Sequence, residues 1–298
     1  MAGLGLKWSH IEAVNTGEEI EIFLHRQWSI QGKLLRHIAQ LQLGLHRGCA
    51  QVQAHHFSQS GGGFKQPAKH FERSVFGEDY FQWERNMEMR RAMSADDKND
   101  LPIAHSESGS SRHYPKGSFV IDMLREAAGG DEAYKKVINA YLKKYAFKHV
   151  DTHLFQLEFM EVLGLNLDWF FDQWVRKGGY PIFECDYTES TGQVKINISQ
   201  IHDQSETIGL FKVQMPIQIR FADGTDTLFN ASIDSQETTL NISNTLGKSI
   251  QYVLFNVNHA LYAKIEQEKT TAELLAQALE AKDMIDRYLA LAELEDRP

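Results

Sequence analysis

Residues 113–124 read His-Tyr-Pro-Lys-Gly-Ser-Phe-Val-Ile-Asp-Met-Leu, and this stretch predicts the start of an amphipathic helix. Proline suits the first turn of a helix because its missing N–H would have no partner there. Pro115 is followed by apolar residues at helical spacing: Phe119, Val120, Met123, Leu124 and Ala127. Gly129 and Gly130 then predict the end of this helix.

Further helices are predicted on both sides of this one. Residues 79–93 have a helical pattern whose inward residues we expect to be Phe81, Met87 and Met89, and a polar loop is predicted over residues 94–113. Three more helices are expected to start at Asp131 and Thr152, each an N-cap, and near Leu167. Glycines and Pro181 in the segment 178–181 predict the end of the helical region.

After Pro181 the spacing of apolar residues changes from about 3.6 to 2, which is typical of strands. The longest alternation covers residues 211–221, and Asp223-Gly224 behind it predicts a hairpin turn. About seven short strands in roughly 80 residues indicate a small antiparallel β-sandwich. Residues 271–294 are rich in Ala, Leu and Glu and predict a final helical stretch. The expected fold class is α+β.

The composition restricts the function. The chain has 298 residues and a net charge of −9, which argues against a general nucleic-acid binder. It contains no run of about 18 apolar residues, so no membrane span is expected. The two cysteines, Cys49 and Cys185, fit no metal or redox motif and are expected to be free thiols. No signal peptide is visible, so the cellular location stays open, with the cytoplasm as the default.

The N-terminal quarter of the chain has a different composition from the rest. Residues 24–71 contain no Asp or Glu, although about six would be expected at the average composition of the chain. Seven of the 13 histidines lie in this quarter: His10, His25, His37, His46, His55, His56 and His70. We therefore expect residues 1–75 to be an anomalous N-terminal segment, either out of frame with the rest or disordered.

Several segments, taken in order, resemble the aminopeptidase N-type zinc metallopeptidases, a gluzincin family. The resemblance begins with Phe-Gly-Glu-Asp-Tyr-Phe at residues 76–81 and continues with Tyr-Pro-Lys-Gly at residues 114–117 and Met-Leu-Arg at residues 123–125. Asp122 stands where that family often has His. The further matches are residues 130–134, 141–145, 167–174 and 179–181.

This resemblance implies a fold, an activity and a mechanism. Residues 76–180 would be the helical C-terminal half of a thermolysin-like catalytic domain, 181–260 a β-sandwich, and 265–298 the start of a helical C-terminal region. In that family, zinc held by two His and one Glu activates a water that attacks a peptide carbonyl. A tyrosine donates its O–H to the developing oxyanion. Only this tyrosine has an equivalent here, Tyr114, whose alternative interpretation is a loop residue packed on the following helix.

The zinc motif of that family is missing from the sequence. The motif is His-Glu-x-x-His with a second Glu about 18 residues later, and no His-Glu dipeptide occurs in the chain. His55 and His56 are adjacent, so they cannot face one metal ion as an i, i+4 pair would. No zinc ligands can therefore be assigned, and we expect the chain as written to be weakly active or inactive.

Two explanations stay open. Either a shift of reading frame hides the true zinc region, or the chain is a shortened, metal-free relative that acts as a binding or scaffold protein. Its partners would be a peptide substrate, the missing catalytic half or another protein. Half a catalytic domain would expose an apolar face and so be poorly soluble.

The sequence 167–174 is rich in aromatic residues, and two roles are conceivable for them. Trp169, Phe170, Phe171 and Trp174 could form a surface on which a substrate stacks. Aromatic residues at helical spacing more often belong to a hydrophobic core. We therefore predict that these side chains are core residues.

Overall fold

The structure is a computed structural model that describes residues 75–297 and the backbone of two short N-terminal strands. These strands, β1 (Ile11–Asn15) and β2 (Ile20–Leu24), form an antiparallel hairpin. Apart from them, the predicted anomalous segment up to residue 74 lies outside the described residues, and so does Cys49.

Along the described part of the chain, one group of helices precedes the strands and a second group follows them. Their bounds are α1 (Glu78–Asp96), α2 (Gly109–Ser111), α3 (Gly117–Ala127), α4 (Asp131–Lys144), α5 (Thr152–Leu163), α6 (Asp168–Phe171), α7 (Thr271–Glu280) and α8 (Met284–Glu295). A wide π-helical turn, Arg112–Lys116, joins α2 to α3, and a second one, Asp172–Arg176, follows α6.

The prediction that Pro115 starts a helix is wrong. The helix begins at Gly109, and Pro115 lies inside the π-helical turn Arg112–Lys116. The N–H of Gly117 reaches back five residues to the carbonyl of Arg112. In an α-helix the proline ring would clash with the carbonyl four residues earlier. The wider turn accommodates the ring, so the helix continues through the proline.

Helix α1 is longer than predicted and buries a different set of residues. It runs to Asp96, so the polar loop is shorter than the predicted segment 94–113. Phe81 and Met89 are buried as predicted, but Met87 is 42% exposed. Met87 follows Phe81 by six residues, which places it on the other side of the helix. The inward assignment of Met87 is therefore wrong.

Two predicted helix caps differ from the structure by one residue. Asp151, rather than Thr152, is the N-cap of α5, and its Oδ1 accepts the N–H of Leu154 at 2.9 Å. Asp131 is the first helical residue of α4 rather than its cap. Its carboxylate accepts an N–H from Arg125 instead, at 2.9 Å from Nε. Acidic residues are favourable in a first turn in either position because they face the positive end of the helix dipole.

Seven strands follow between residues 182 and 266. They are β3 (Ile182–Ser190), β4 (Gln193–Gln200), β5 (Val213–Phe221), β6 (Asp226–Ile233), β7 (Glu237–Ser243), β8 (Ile250–Phe255) and β9 (Lys264–Glu266). One sheet has the order β7-β4-β3-β9 and the other the order β6-β5-β8. The predicted turn at Asp223-Gly224 joins β5 to β6. The β3–β9 pair is parallel, so the strands are not all antiparallel as predicted.

Alternate residues of both sheets lie in one hydrophobic core with residues of the helices. Ile196 and Ile198 of β4 and Ile217 and Ile219 of β5 are fully buried in it. Each such side chain contributes roughly 1.5–3 kcal/mol on burial. The α+β prediction is confirmed, since helices and sheets build this core together.

The aromatic residues of α6 and the turn behind it are core residues, as predicted. Phe170, Phe171 and Trp174 are buried in the cluster, and Trp169 packs against it while partly exposed. The ring of Phe171 contacts Phe155 with centroids 6.0 Å apart. No substrate-stacking role is needed to explain these side chains.

Helix α8 is joined to the segment after β8 by a buried carboxylate. Asn256, Asn258 and His259 all have left-handed backbone conformations, with φ between 47° and 57°. Both carboxylate oxygens of Asp286 accept the N–H of Asn258, at 3.1 and 3.3 Å. The pKa of Asp286 is raised to about 7, mainly by burial and also by the nearby charge of Asp283. The Asn258 N–H, Lys269 and Arg287 oppose this shift.

We expect the Asp286→Asn variant to gain stability relative to the wild type as the pH rises. The folded chain binds this proton more tightly than the unfolded chain, whose Asp pKa is about 3.9. The contribution of Asp286 is therefore present below about pH 4 and lost as the pH rises through about 7. The difference in unfolding free energy between the two proteins should change by a few kcal/mol, at about 1.4 kcal/mol per pKa unit.

Urea unfolding of both proteins from pH 4 to pH 8 checks this. Asp203→Asn, which changes an exposed aspartate in the loop before β5, serves as the matched control. A difference between Asp286→Asn and wild type that stays constant over this range would contradict the assignment.

Candidate functional site

The buried carboxylate of Asp96, at the C-terminal end of α1, accepts hydrogen bonds from three side chains. Its Oδ1 accepts Arg112 Nε at 2.6 Å, and its Oδ2 accepts Lys116 Nζ at 2.7 Å and Tyr262 Oη at 3.0 Å. The side chains of Asp96, Arg112 and Lys116 are at most 4% exposed. We call Asp96, Arg112, Lys116 and Tyr262 the Asp96 cluster.

The two cations of the Asp96 cluster also bind backbone carbonyls. Arg112 donates from Nη1 to Ser108 at 3.1 Å and from Nη2 to Ala95 and Asn99. Lys116 Nζ donates to the carbonyl of Gly179 at 2.7 Å. The donors of the guanidinium are spread over three carbonyls and the carboxylate, so the charge is satisfied although it is buried.

Together with the carbonyl of Gly179, the Asp96 cluster joins four parts of the chain. Asp96 belongs to α1, Arg112 and Lys116 to the π-helical turn, Gly179 to the segment before β3, and Tyr262 to the segment after β8. Burial lowers the pKa of Lys116, and Asp96 opposes this by attraction and hydrogen bonding. We assign Lys116 as an ammonium because its amine lies next to the Asp96 carboxylate. A neutral amine would leave this buried carboxylate with Arg112 as its single cationic partner in the Asp96 cluster.

Tyr114 lies between the two anchored cations. Arg112 and Lys116 are four residues apart in the turn and both face inward to Asp96. Tyr114 is two residues from each, so it lies on the opposite side, and its side chain is 36% exposed. His113 beside it is buried, with Nε2 3.2 Å from the carbonyl of His105. Tyr114 is therefore a residue of a helical turn rather than of a loop.

The segment from Gly178 to Tyr180 closes one side of this region. A Cβ at Gly178 would lie 1.8 Å from the carbonyl oxygen of Asp100, so only glycine fits there. Tyr180 Oη donates to Asp97 Oδ1 at 2.7 Å. These contacts hold the loop after α1 in place. The segment also ends the helical region, as predicted.

Asp122 stands where the family that this chain resembles often has His. Its carboxylate is paired with two arginines. Arg125 Nη1 donates to its Oδ1 at 3.0 Å, and Arg85 Nε lies 4.0 Å from its Oδ2. The Arg85 guanidinium also lies over the ring of Phe119, at 4.2 Å from its centroid. Asp122 thus belongs to an ionic contact between α1 and α3.

The described residues provide no metal site. Between residues 75 and 297, no three His, Cys, Asp or Glu side chains come together in a way that could hold a metal ion. The donor set required for zinc is therefore not formed by these residues, and no catalytic step is assigned to a metal here. Cys185 is free, as predicted, and burial raises the pKa of its thiol.

Sequence reasoning missed most of the Asp96 cluster. Asp96 was assigned to a polar loop, and neither Arg112 nor Tyr262 was singled out. The only available signal was Lys116, as part of the Tyr-Pro-Lys-Gly motif. A lysine that belongs to a motif and precedes apolar helical residues suggests that an acidic side chain pairs with it in the core. The sequence does not indicate which acidic residue this is.

None of the helices in the described part of the chain is long and apolar enough to cross a membrane.

Comparisons with known proteins agree with the motif resemblance. Residues 51–174 match the model of the Peptidase family M1 domain, a match that begins inside the N-terminal segment. Glutamyl aminopeptidase of Sus scrofa is 27% identical over 169 residues, which are 56% of this chain and 18% of that protein. Aminopeptidase N of Lactococcus lactis subsp. lactis is 31% identical over 78 residues, 26% of this chain and 9% of that protein.

A solved structure supports the fold. The crystal structure of Legionella pneumophila aminopeptidase A in complex with aspartic acid has a TM-score of 0.61 and 14% identity, covering 76% of this chain and 26% of that one. At this identity the likeness shows the fold alone. The chain spans about a fifth or less of the curated relatives described above. Residues 51–174 of this chain are thus similar to the domain of peptidase family M1.

Proposed function

We propose that this chain is part of an aminopeptidase that hydrolyses N-terminal residues from peptides, with Tyr114 as the oxyanion stabiliser. The exposed position of Tyr114 on an anchored turn supports this role. The family match and the aminopeptidase relatives support the reaction class. The relatives are whole proteins of greater length, so the activity of this chain is inferred from them by analogy.

The chemistry of Tyr114 in this role is a hydrogen bond. When a nucleophile attacks a peptide carbonyl, negative charge develops on the carbonyl oxygen, and a fixed O–H donor lowers the energy of that state. The donor must be rigid, because a group that has to be oriented during the reaction contributes less. The π-helical turn would supply this rigidity through Arg112 and Lys116.

The zinc chemistry of the family is not assigned to any residue of this chain. A bound zinc ion would activate water in such an enzyme. The sequence lacks His-Glu-x-x-His, and the described residues do not form a ligand set. We therefore propose that the chain as written is weakly active or inactive.

The domain division remains part of the proposal. Residues 76–180 would be the helical half of a thermolysin-like catalytic domain, residues 181–260 a sandwich, and residues 265–298 the start of a helical region. The change from helices to strands near residue 182 supports the boundary between residues 180 and 181. Strand β9 (Lys264–Glu266) lies across the last boundary, which would then fall nearer α7.

We expect the purified chain to cleave amino-acid anilides at close to the uncatalysed rate, with or without added zinc, and to retain less than one zinc per chain. Any turnover above the uncatalysed rate should depend on Tyr114, so Tyr114→Phe should abolish it, since an oxyanion donor usually contributes about 10²–10³-fold to kcat. Initial rates and metal analysis by mass spectrometry provide the measurement.

Tyr288→Phe is the matched control, since it removes a hydroxyl elsewhere and keeps the ring contact of Tyr288 with Trp83. Full turnover with one zinc per chain would contradict the proposed inactivity. Turnover that Tyr114→Phe leaves unchanged would contradict the proposed role of Tyr114.

A non-enzymatic binding or scaffold function is the second candidate, and an apolar stripe on α1 and just before it favours this function. Phe76, Tyr80, Trp83 and Met87 follow one another at helical spacing and all have exposed side-chain surface, from 61% at Phe76 to 36% at Trp83. Exposed apolar stripes of this kind mark contact surfaces or cause association. The stripe also agrees with the predicted exposure of an apolar face.

We expect the isolated chain to self-associate through this stripe. Size-exclusion chromatography with light scattering should show species larger than a monomer, and the double variant Phe76→Ser, Met87→Ser should shift them toward the monomer. The control Leu228→Ser, Leu279→Ser changes two leucines that are 62% and 80% exposed on β6 and α7. A monomeric wild type, or an equal shift in the control, would contradict the role of the stripe.

A further inference from the structure

We infer that the Asp96 cluster positions Tyr114, so that Asp96 and Lys116 are positioning residues for the Tyr114 hydroxyl. This inference rests on the proposed function, since a positioned hydroxyl matters only where Tyr114 acts on a substrate. It concerns residues that do not contact the substrate themselves.

The two anchors of the turn carry the argument. Arg112 is the first residue of the π-helical turn and Lys116 the last, and each binds a different oxygen of the same carboxylate, at 2.6 and 2.7 Å. Both ends of the turn are thus fixed to one group. Tyr114 is the middle residue, so its backbone has little freedom to rotate while both anchors hold.

The carboxylate itself is fixed from the opposite side. Tyr262 donates to Asp96 Oδ2 at 3.0 Å, and its ring packs against Phe119 of α3, with centroids 5.7 Å apart. Lys116 Nζ also lies 5.3 Å from the centroid of the Tyr262 ring. The Asp96 cluster is therefore supported by the segment after β8 through a hydrogen bond and a ring contact.

A purely stabilising role does not explain this arrangement. Burying ions costs desolvation free energy, and apolar residues of similar volume often stabilise a core equally well or better. A buried ion network instead imposes a definite geometry, because each donor must meet its acceptor. Here the geometry is imposed on the two residues that flank Tyr114.

The test is ¹⁹F NMR of the full chain with 3-fluorotyrosine placed at position 114. Lys116→Met removes one anchor and leaves Arg112 and Asp96 as a pair of opposite charges, so this variant has the best prospect of folding. The inference predicts one resonance in the wild type and a shifted or split resonance in Lys116→Met. An unchanged resonance in a folded Lys116→Met chain would overturn the inference.

Ile138→Ala serves as the matched control for general loss of stability, because truncating a buried isoleucine to alanine destabilises to a similar degree. Ile138 is fully buried in α4, and its substitution should leave the Tyr114 resonance unchanged at a comparable loss of stability. An equal change in this control would also overturn the inference. Should Lys116→Met fail to fold, the same criterion applies to Tyr262→Phe, which removes one hydrogen bond to Asp96 without removing a charge.

The NMR readout is independent of catalysis, so the two proposals can fail separately. Loss of the fixed Tyr114 resonance in Lys116→Met supports positioning whatever the hydrolysis assay shows. Hydrolysis that survives Tyr114→Phe removes the proposed function but leaves the structural result intact. An unchanged resonance together with Tyr114-dependent hydrolysis removes the positioning role alone.

Discussion

The carboxylate of Asp96 is the contact on which the rest of this structure depends. It lies at the end of α1 and is bound by Arg112, Lys116 and Tyr262, which come from two other parts of the chain. Removing one partner from such a buried pair typically costs about 3–5 kcal/mol, because the remaining charge stays buried without compensation. Helices, the wide turn and the segment after β8 are therefore held in one arrangement by a single group.

Pro115 explains why the turn around Tyr114 is a π-helix rather than an α-helix. The proline at position 115 cannot occupy an α-helical interior without a clash, and the wide turn avoids it. Such turns are often found at functional sites, and the second one in this chain, Asp172–Arg176, contributes core residues instead. The ionic anchors at Arg112 and Lys116 hold the turn at both ends, which leaves Tyr114 exposed on a fixed backbone.

The α+β class, most helices and most strands could be predicted because apolar periodicity depends on local sequence alone. Pro115 misled the prediction, since proline usually marks a first turn and only the anchored turn allows it deeper in a helix. Tyr114 was singled out through a motif, and its role stays a proposal. Asp96 and Tyr262 could not be found, because they meet across 166 residues of sequence, and no local pattern shows which acid neutralises a buried lysine.

Native-state hydrogen exchange tests the central claim most directly. If the Asp96 cluster ties its three segments together, the amides of residues 92–97, 112–117 and 261–263 should open in one cooperative step with the same free energy. Exchange of the turn 112–117 at a much lower free energy, while the end of α1 stays protected, would contradict the account. In that case Asp96 would not hold the turn, and the exposure of Tyr114 would need another explanation.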